Sequence, residues 1–250
     1  MKKIFWIVII IGAIVFCYSE LKPKNSTEIA STENNIVNKE KIEEVVPEPK
    51  IYNNVLVVGN SITIERDGIG MAASDQYHDY YYLVKSKLEE QSANLKMNRI
   101  SSKDWEENTK ISSRTEWINQ NLTDDLIQDL DLVIFQLGDN FVPTEELENS
   151  MKEMVDHIQR KSPNARMLWL SMWFINEERL AIIPKICEKL NIEFIDISDL
   201  VVDENKSEIG QQVIGIDGQI DRINTIEEAF HPNDKCMAII ADRIIKKLDL

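Results

Sequence analysis

"VLVVGNSITI", residues Val55 to Ile64, begins as a strand and ends as a turn. Four apolar residues, three of them β-branched, run without alternation. That pattern suits a strand buried on both faces. The run stops at Gly59, which permits a sharp turn. Asn60, Ser61 and Thr63 follow where the strand hands over to a loop. A serine here is either a polar cap on the next element or a nucleophile at the rim of a sheet, and this stretch by itself favours the cap.

Similar runs recur downstream at Leu95–Ile100, Leu132–Gln136, Met167–Ser171 and Glu193–Ile197. Helical periodicities lie between them. Tyr80 to Glu90 places Leu83, Val84 and Leu88 on one face. Thr144 reads as an N-cap, with Glu145 and Glu146 in the first turn and Leu147, Met151, Met154, Val155 and Ile158 at helical spacing. Leu180 to Leu190 forms another helix. After Pro232, Met237, Ile240, Ala241, Ile244, Ile245 and Leu248 form a core-facing stripe. Alternating strands and helices predict an α/β fold, a three-layer α/β/α sandwich around a five-stranded parallel sheet. Ligands then bind at the carboxyl ends of the strands.

Outside this region the chain changes character. Lys2 and Lys3 precede an apolar run from Ile4 to Tyr18, the layout of a signal peptide or an N-terminal membrane anchor. A lipid anchor through Cys17 is a third reading. All three place the remainder outside the cytoplasm, because the two lysines stay inside. Residues 19–50 are polar, lack aromatics and end in "VVPEPK"; they read as a flexible linker. The domain itself is residues 51–250. Residues 1–50 hold seven Lys and seven Glu, so the domain carries the whole net charge of -15. So acidic a surface repels phosphate backbones, which excludes nucleic acid as a partner, and any membrane contact is left to the N-terminal segment. Three cysteines are too few for a disulfide scaffold; Cys187 and Cys236 read as buried apolar residues, with a bridge between them left open. No CxxC or HExxH pattern occurs, so neither a metal nor another cofactor is implied.

Three strand-end features stand together. Ser61 follows the first strand. "QLGDNF", with Gly138, Asp139 and Asn140, follows the third. "EAFHPND", with Glu228 three residues before His231, precedes the last helix. An acid at that spacing can hold one imidazole nitrogen and leave the other to take a proton from serine. His78 and His157 read as surface residues.

These blocks, Gly59-Asn60-Ser61, Gly138-Asp139-Asn140 and Glu228-x-x-His231, resemble the SGNH (GDSL-like) hydrolase superfamily in order and spacing across residues 51–250. "GNSIT" and the following "GIGMAAS" (Gly68 to Ser74) look like one bacterial branch of it. The resemblance implies a flavodoxin-like fold with Ser61 as nucleophile, His231 as base and Glu228 as the acid that orients it. It also implies an oxyanion hole made by the Ser61 N–H and the Asn140 amide, plus a third donor after the second strand. Gly138 and Trp173 are candidate substrate-binding residues. The implied activity is that of an exported esterase removing acyl groups, acetyl above all, from a carbohydrate, another cell-envelope substrate or a small ester. Polysaccharide O-acyl transfer and a catalytically silent binding module are the alternatives. Five departures stand out: Asn60 for the family's usual Asp, Glu228 for Asp, Phe141 where Asp is common, Cys236 where a glycine often follows the His-Pro-Asn run, and no glycine after the second strand, where Ser101 or Ser102 is left to supply the donor. The segment from Val201 to Ile226 reads as a long irregular loop lining the site.

Overall fold

The computed structural model describes residues 50–250. The targeting segment and the linker, apart from Lys50, lie outside the described residues. Among those described, no helix is long and apolar enough to cross a membrane.

Five strands form one parallel sheet: β1 (Asn54–Gly59), β2 (Lys96–Ser101), β3 (Leu132–Gln136), β4 (Arg166–Leu170) and β5 (Glu193–Ile195). Their spatial order is β2-β1-β3-β4-β5, the flavodoxin-like arrangement. The chain order reverses between β1 and β3, and folds of this kind bind their ligands beyond the strand ends at that switch point. Gly59 lies level with Ser101 on one side and with Gln136 on the other, so the residues that follow these three strands meet at one rim.

The unbroken apolar runs are explained by the two faces of the sheet. Val55, Val57, Leu132 and Ile134 point into one core, shared with α1 (Tyr80–Glu89) and the last helix. Leu56, Val58, Val133 and Phe135 point into the other. That second core is closed by α2 (Lys103–Glu107), α3 (Ile111–Asn121), α4 (Asp124–Ile127), α5 (Leu147–Gln159) and α6 (Glu177–Leu190). Each such side chain contributes about 1.5–3 kcal/mol on full burial, which is why both faces must be apolar. The remaining helices are α7 (Ile226–Ala229) and α8 (Asp234–Lys247).

Two local expectations are corrected. Thr144 does not cap a helix: Thr144–Glu146 form a 3₁₀ turn, and α5 starts at Leu147 without a side-chain cap. The Val201–Ile226 segment is not irregular throughout. It carries an antiparallel hairpin of β6 (Gln212–Ile214) and β7 (Ile220–Arg222). The hairpin is pinned to the stretch after the serine turn, through Ile214 N–H to the Ser74 carbonyl (2.8 Å) and Ile216 N–H to the Asp67 carbonyl (3.0 Å). Cys187 and Cys236 are buried free thiols, both pushed up to about 12 by desolvation.

Candidate active site

The serine turn is built by Gly59. A Cβ there would lie 2.0 Å from Thr63 Oγ1, so only glycine lets the chain fold back this tightly. The Asn60 carbonyl accepts the Thr63 and Ile64 N–H groups, at 2.8 and 3.0 Å, which lifts Ser61 to the end of the sheet. The Ser61 carbonyl accepts the Met71 N–H at 2.8 Å, so the "GIGMAAS" stretch clasps the turn from outside.

The histidine arrives from the other end of the chain. Thr225 and Glu228 form a reciprocal capping box on α7, and Asn233 caps α8 by accepting the Cys236 N–H at 3.0 Å. Between these two capped helices, His231 and Pro232 have little freedom. The Trp173 indole N–H donates to the Phe230 carbonyl at 2.7 Å, and the Phe174 ring meets the imidazole edge-on, with centroids 4.9 Å apart.

The two ends meet. Ser61 Oγ lies 2.8 Å from His231 Nε2. The other ring nitrogen, Nδ1, lies 2.9 Å from the Glu227 carbonyl and 3.2 Å from the Glu228 carbonyl. Carbonyl oxygens only accept, so Nδ1 carries the hydrogen and Nε2 turns its lone pair to the serine hydroxyl. Burial lowers the His231 pKa from its usual value, against the raising effect of the two carbonyls. The ring is therefore neutral near pH 7, the form that can take a proton.

Glu228 does not meet its expected role. Its carboxylate turns away from His231, accepts the Asn224 N–H at 2.6 Å and the Thr225 N–H at 3.3 Å, and pairs with Arg66 at 2.6 Å. The same Arg66 also pairs with Asp221 and donates to the Arg222 carbonyl at 3.0 Å, tying the serine loop to β7 and α7. Spacing placed residue 228 correctly, but its main-chain oxygen holds the ring instead of its side chain. The Trp173 expectation is also corrected. The ring is fully buried in the core and forms no open wall. Gly138 is buried too. Its φ of +116° and the close approach of Ile183 and Met172 make it a backbone requirement rather than a substrate contact. Of the two serines named for a third donor, Ser101 ends β2 itself, and Ser102 has its N–H taken by the Gly59 carbonyl at 2.8 Å.

Asn140 lies half-buried past β3, and its loop is held from below. Arg179 donates to the Gly138, Asp139 and Phe141 carbonyls at 2.6, 3.1 and 2.8 Å. Asp139 accepts four hydrogen bonds: from the Trp173 and Phe174 N–H groups at 2.8 and 2.7 Å, and from Asn60 and Gln136 at 2.9 and 2.7 Å. Beside it lies a carboxylate that sequence reasoning missed. Glu106, on α2, is fully buried and accepts from Asn60 at 3.1 Å, from Asn140 at 3.3 Å and from the Gly138 N–H. Its only sequence signal was the neighbouring Trp105 in "KDWEEN", a segment too short for a readable period. Desolvation, with Asp139 next in weight, pushes the Glu106 carboxyl up to about 7. Among the described residues, no group of three His, Cys, Asp or Glu side chains is placed to hold a metal ion.

No protein-family model and no curated protein matches the chain. Solved structures do. A two-domain esterase active on acetylated mannans, crystallised with mannopentaose, superposes with a TM-score of 0.53 at 16% identity over 79% of this chain. The chain shares that esterase's fold. A family 2 carbohydrate esterase with its carbohydrate-binding domain, from Corynascus thermopiles (Myceliophthora fergusii), gives 0.52 at 14% identity over 81% of this chain and 66% of that one. A possible lipase from Chitinophaga pinensis gives 0.52 at 15% identity over 79% of this chain and 99% of that one. The chain covers 49% of the length of the two-domain esterase. At these identities the likeness is one of fold.

Proposed function

We propose that this protein is a serine esterase in which Ser61 and His231 work as a dyad. The observation that carries the reading is the 2.8 Å contact between Ser61 Oγ and His231 Nε2, with the opposite nitrogen fixed by two carbonyls. Ser61 attacks the ester carbonyl as Nε2 takes its proton. The tetrahedral oxyanion is met by the Ser61 N–H and the Asn140 amide, and the imidazolium then protonates the leaving alcohol. Water, activated by the same nitrogen, releases the acid and restores the serine. In a triad, a carboxylate stabilises the imidazolium. Here the Glu227 and Glu228 carbonyl dipoles do so, a weaker device but one that sets the same tautomer.

The substrate class in this reading is an acetylated carbohydrate of the cell envelope or its surroundings. The fold shared with two carbohydrate esterases supports it, one of them active on acetylated mannans. The basic pair Lys2 and Lys3 and the apolar run to Tyr18 support a position outside the cytoplasm, held or exported through the N-terminus. The test is acetate release from acetylated mannan, acetylated xylan and a small aryl acetate by the domain and by Ser61→Ala. Release that depends on Ser61 and is insensitive to added sugar acceptor supports hydrolysis. Acceptor-dependent acetyl transfer would replace it with the transferase reading, and no turnover on any ester would leave the silent module.

A further inference from the structure

Past β2, on α2, this chain buries Glu106. Its Oε1 receives the Gly138 N–H, and its Oε2 receives one hydrogen each from Asn60 and Asn140. The second hydrogen on Asn60 Nδ2 goes to Asp139 Oδ2 at 2.9 Å. The Asn60 amide thus stands between two buried carboxylates and gives a hydrogen to each, using both of its donors. With Asp at position 60, the residue common in the resembled family, three carboxyl groups would meet in one buried spot without the two amide hydrogens that now bridge them. Asn60 and the buried Glu106 are therefore two halves of one feature.

An amide free to turn about its last torsion has a broad, two-fold preference. A fixed acceptor removes that freedom. With one Asn140 hydrogen committed to Glu106, the other has a set direction. The Gly138 N–H, tied to the same carboxylate, sets the height of the loop on which Asn140 sits. A misplacement of about 1 Å can cost on the order of 10²-fold in rate.

We propose that Glu106 is the positioning residue of the oxyanion hole, acting through Asn140 and Gly138, and that its presence is what requires an amide at position 60. The positioning half rests on the esterase reading; the coupling to Asn60 does not.

The experiment combines kinetics with a stability cycle. In Glu106→Gln, kcat for an aryl acetate, normalised to the folded fraction by circular dichroism, falls about 10- to 100-fold with KM within about twofold. The same substitution costs much less in an Asn140→Ala background, because its effect passes through Asn140. For stability, Asn60→Asp lowers Tm by at least about 2–4 °C more in the unaltered protein than in a Glu106→Gln background. An unchanged kcat per folded molecule in Glu106→Gln, or losses that multiply fully with Asn140→Ala, would overturn the positioning role. An additive stability cycle would overturn the coupling. Absence of turnover in the unaltered domain would overturn the esterase reading and the positioning role with it, while the stability cycle still decides the coupling.

Discussion

Replacing Glu228 by Gln separates two designs that look alike in sequence. In a triad, the acid holds the imidazolium, and its loss costs on the order of 10⁴ in kcat. Here the Glu228 carboxylate bonds the Asn224 and Thr225 N–H groups and pairs with Arg66, while His231 Nδ1 donates to main-chain carbonyls that the substitution leaves in place. Glutamine keeps one acceptor for the capping box and loses the charge. The capping change costs about 0.5–1 kcal/mol, and a partly exposed ion pair about 1 kcal/mol at most. Together these lower Tm by roughly 1–8 °C in a domain of this size. The tautomer is untouched, so kcat falls by less than about 10-fold. Steady-state hydrolysis of an aryl acetate and a thermal melt of the same preparation measure both quantities. A kcat loss of about 10³ or more with an unchanged Tm would refute the carbonyl-held histidine and restore the triad acid.

Three further outcomes follow from the same geometry. Burial holds the His231 pKa below 6.5, and catalysis needs the neutral ring, so the acid limb of the kcat/KM profile has its midpoint below 6.5; a midpoint at or above that value contradicts the assignment. The Glu106 carboxyl is raised from 4.5 to about 7, so the folded protein keeps a proton that the unfolded chain has released. The stability linked to it is fully present below pH 4.5 and is lost as pH rises through about 7, on the order of 3 kcal/mol, and denaturant midpoints from pH 4.5 to about 8 show this slope in the unaltered protein and not in Glu106→Gln. Trp173→Phe removes the indole hydrogen bond to the Phe230 carbonyl from a buried site, costing about 1 kcal/mol and lowering kcat with KM unchanged; a large rise in KM would return Trp173 to the substrate pocket.

The parallel sheet was legible because its strands are buried on both faces. Val55–Val58 and Leu132–Phe135 have no polar position to spare, and the structure divides them alternately between the two cores. The meeting of Ser61 with His231 was legible because the parallel sheet brings strand ends to one rim. What escaped reading depends on atoms that residue spacing does not encode. A Glu three residues before a His can offer either its carboxylate or its carbonyl, and here the capping box and Arg66 claim the carboxylate. Trp173 stands just past a strand end, yet its indole turns inward to reach a carbonyl beneath the histidine. The β6–β7 hairpin has strands of three residues each, too short for a period of two to show. Glu106 was invisible because a lone acid in a charged run reads as solvated surface. Only the convergence of Asn60, Gly138 and Asn140 on its oxygens shows otherwise.

The central claim is that Ser61 is a nucleophile activated by His231. Treating the domain with a fluorophosphonate at neutral pH and mapping the adduct by mass spectrometry tests it most directly. The account predicts a single phosphonylated residue, Ser61, with labelling abolished in His231→Ala and retained in Glu228→Gln. Labelling on another serine, or none at Ser61 in a folded domain, would contradict it.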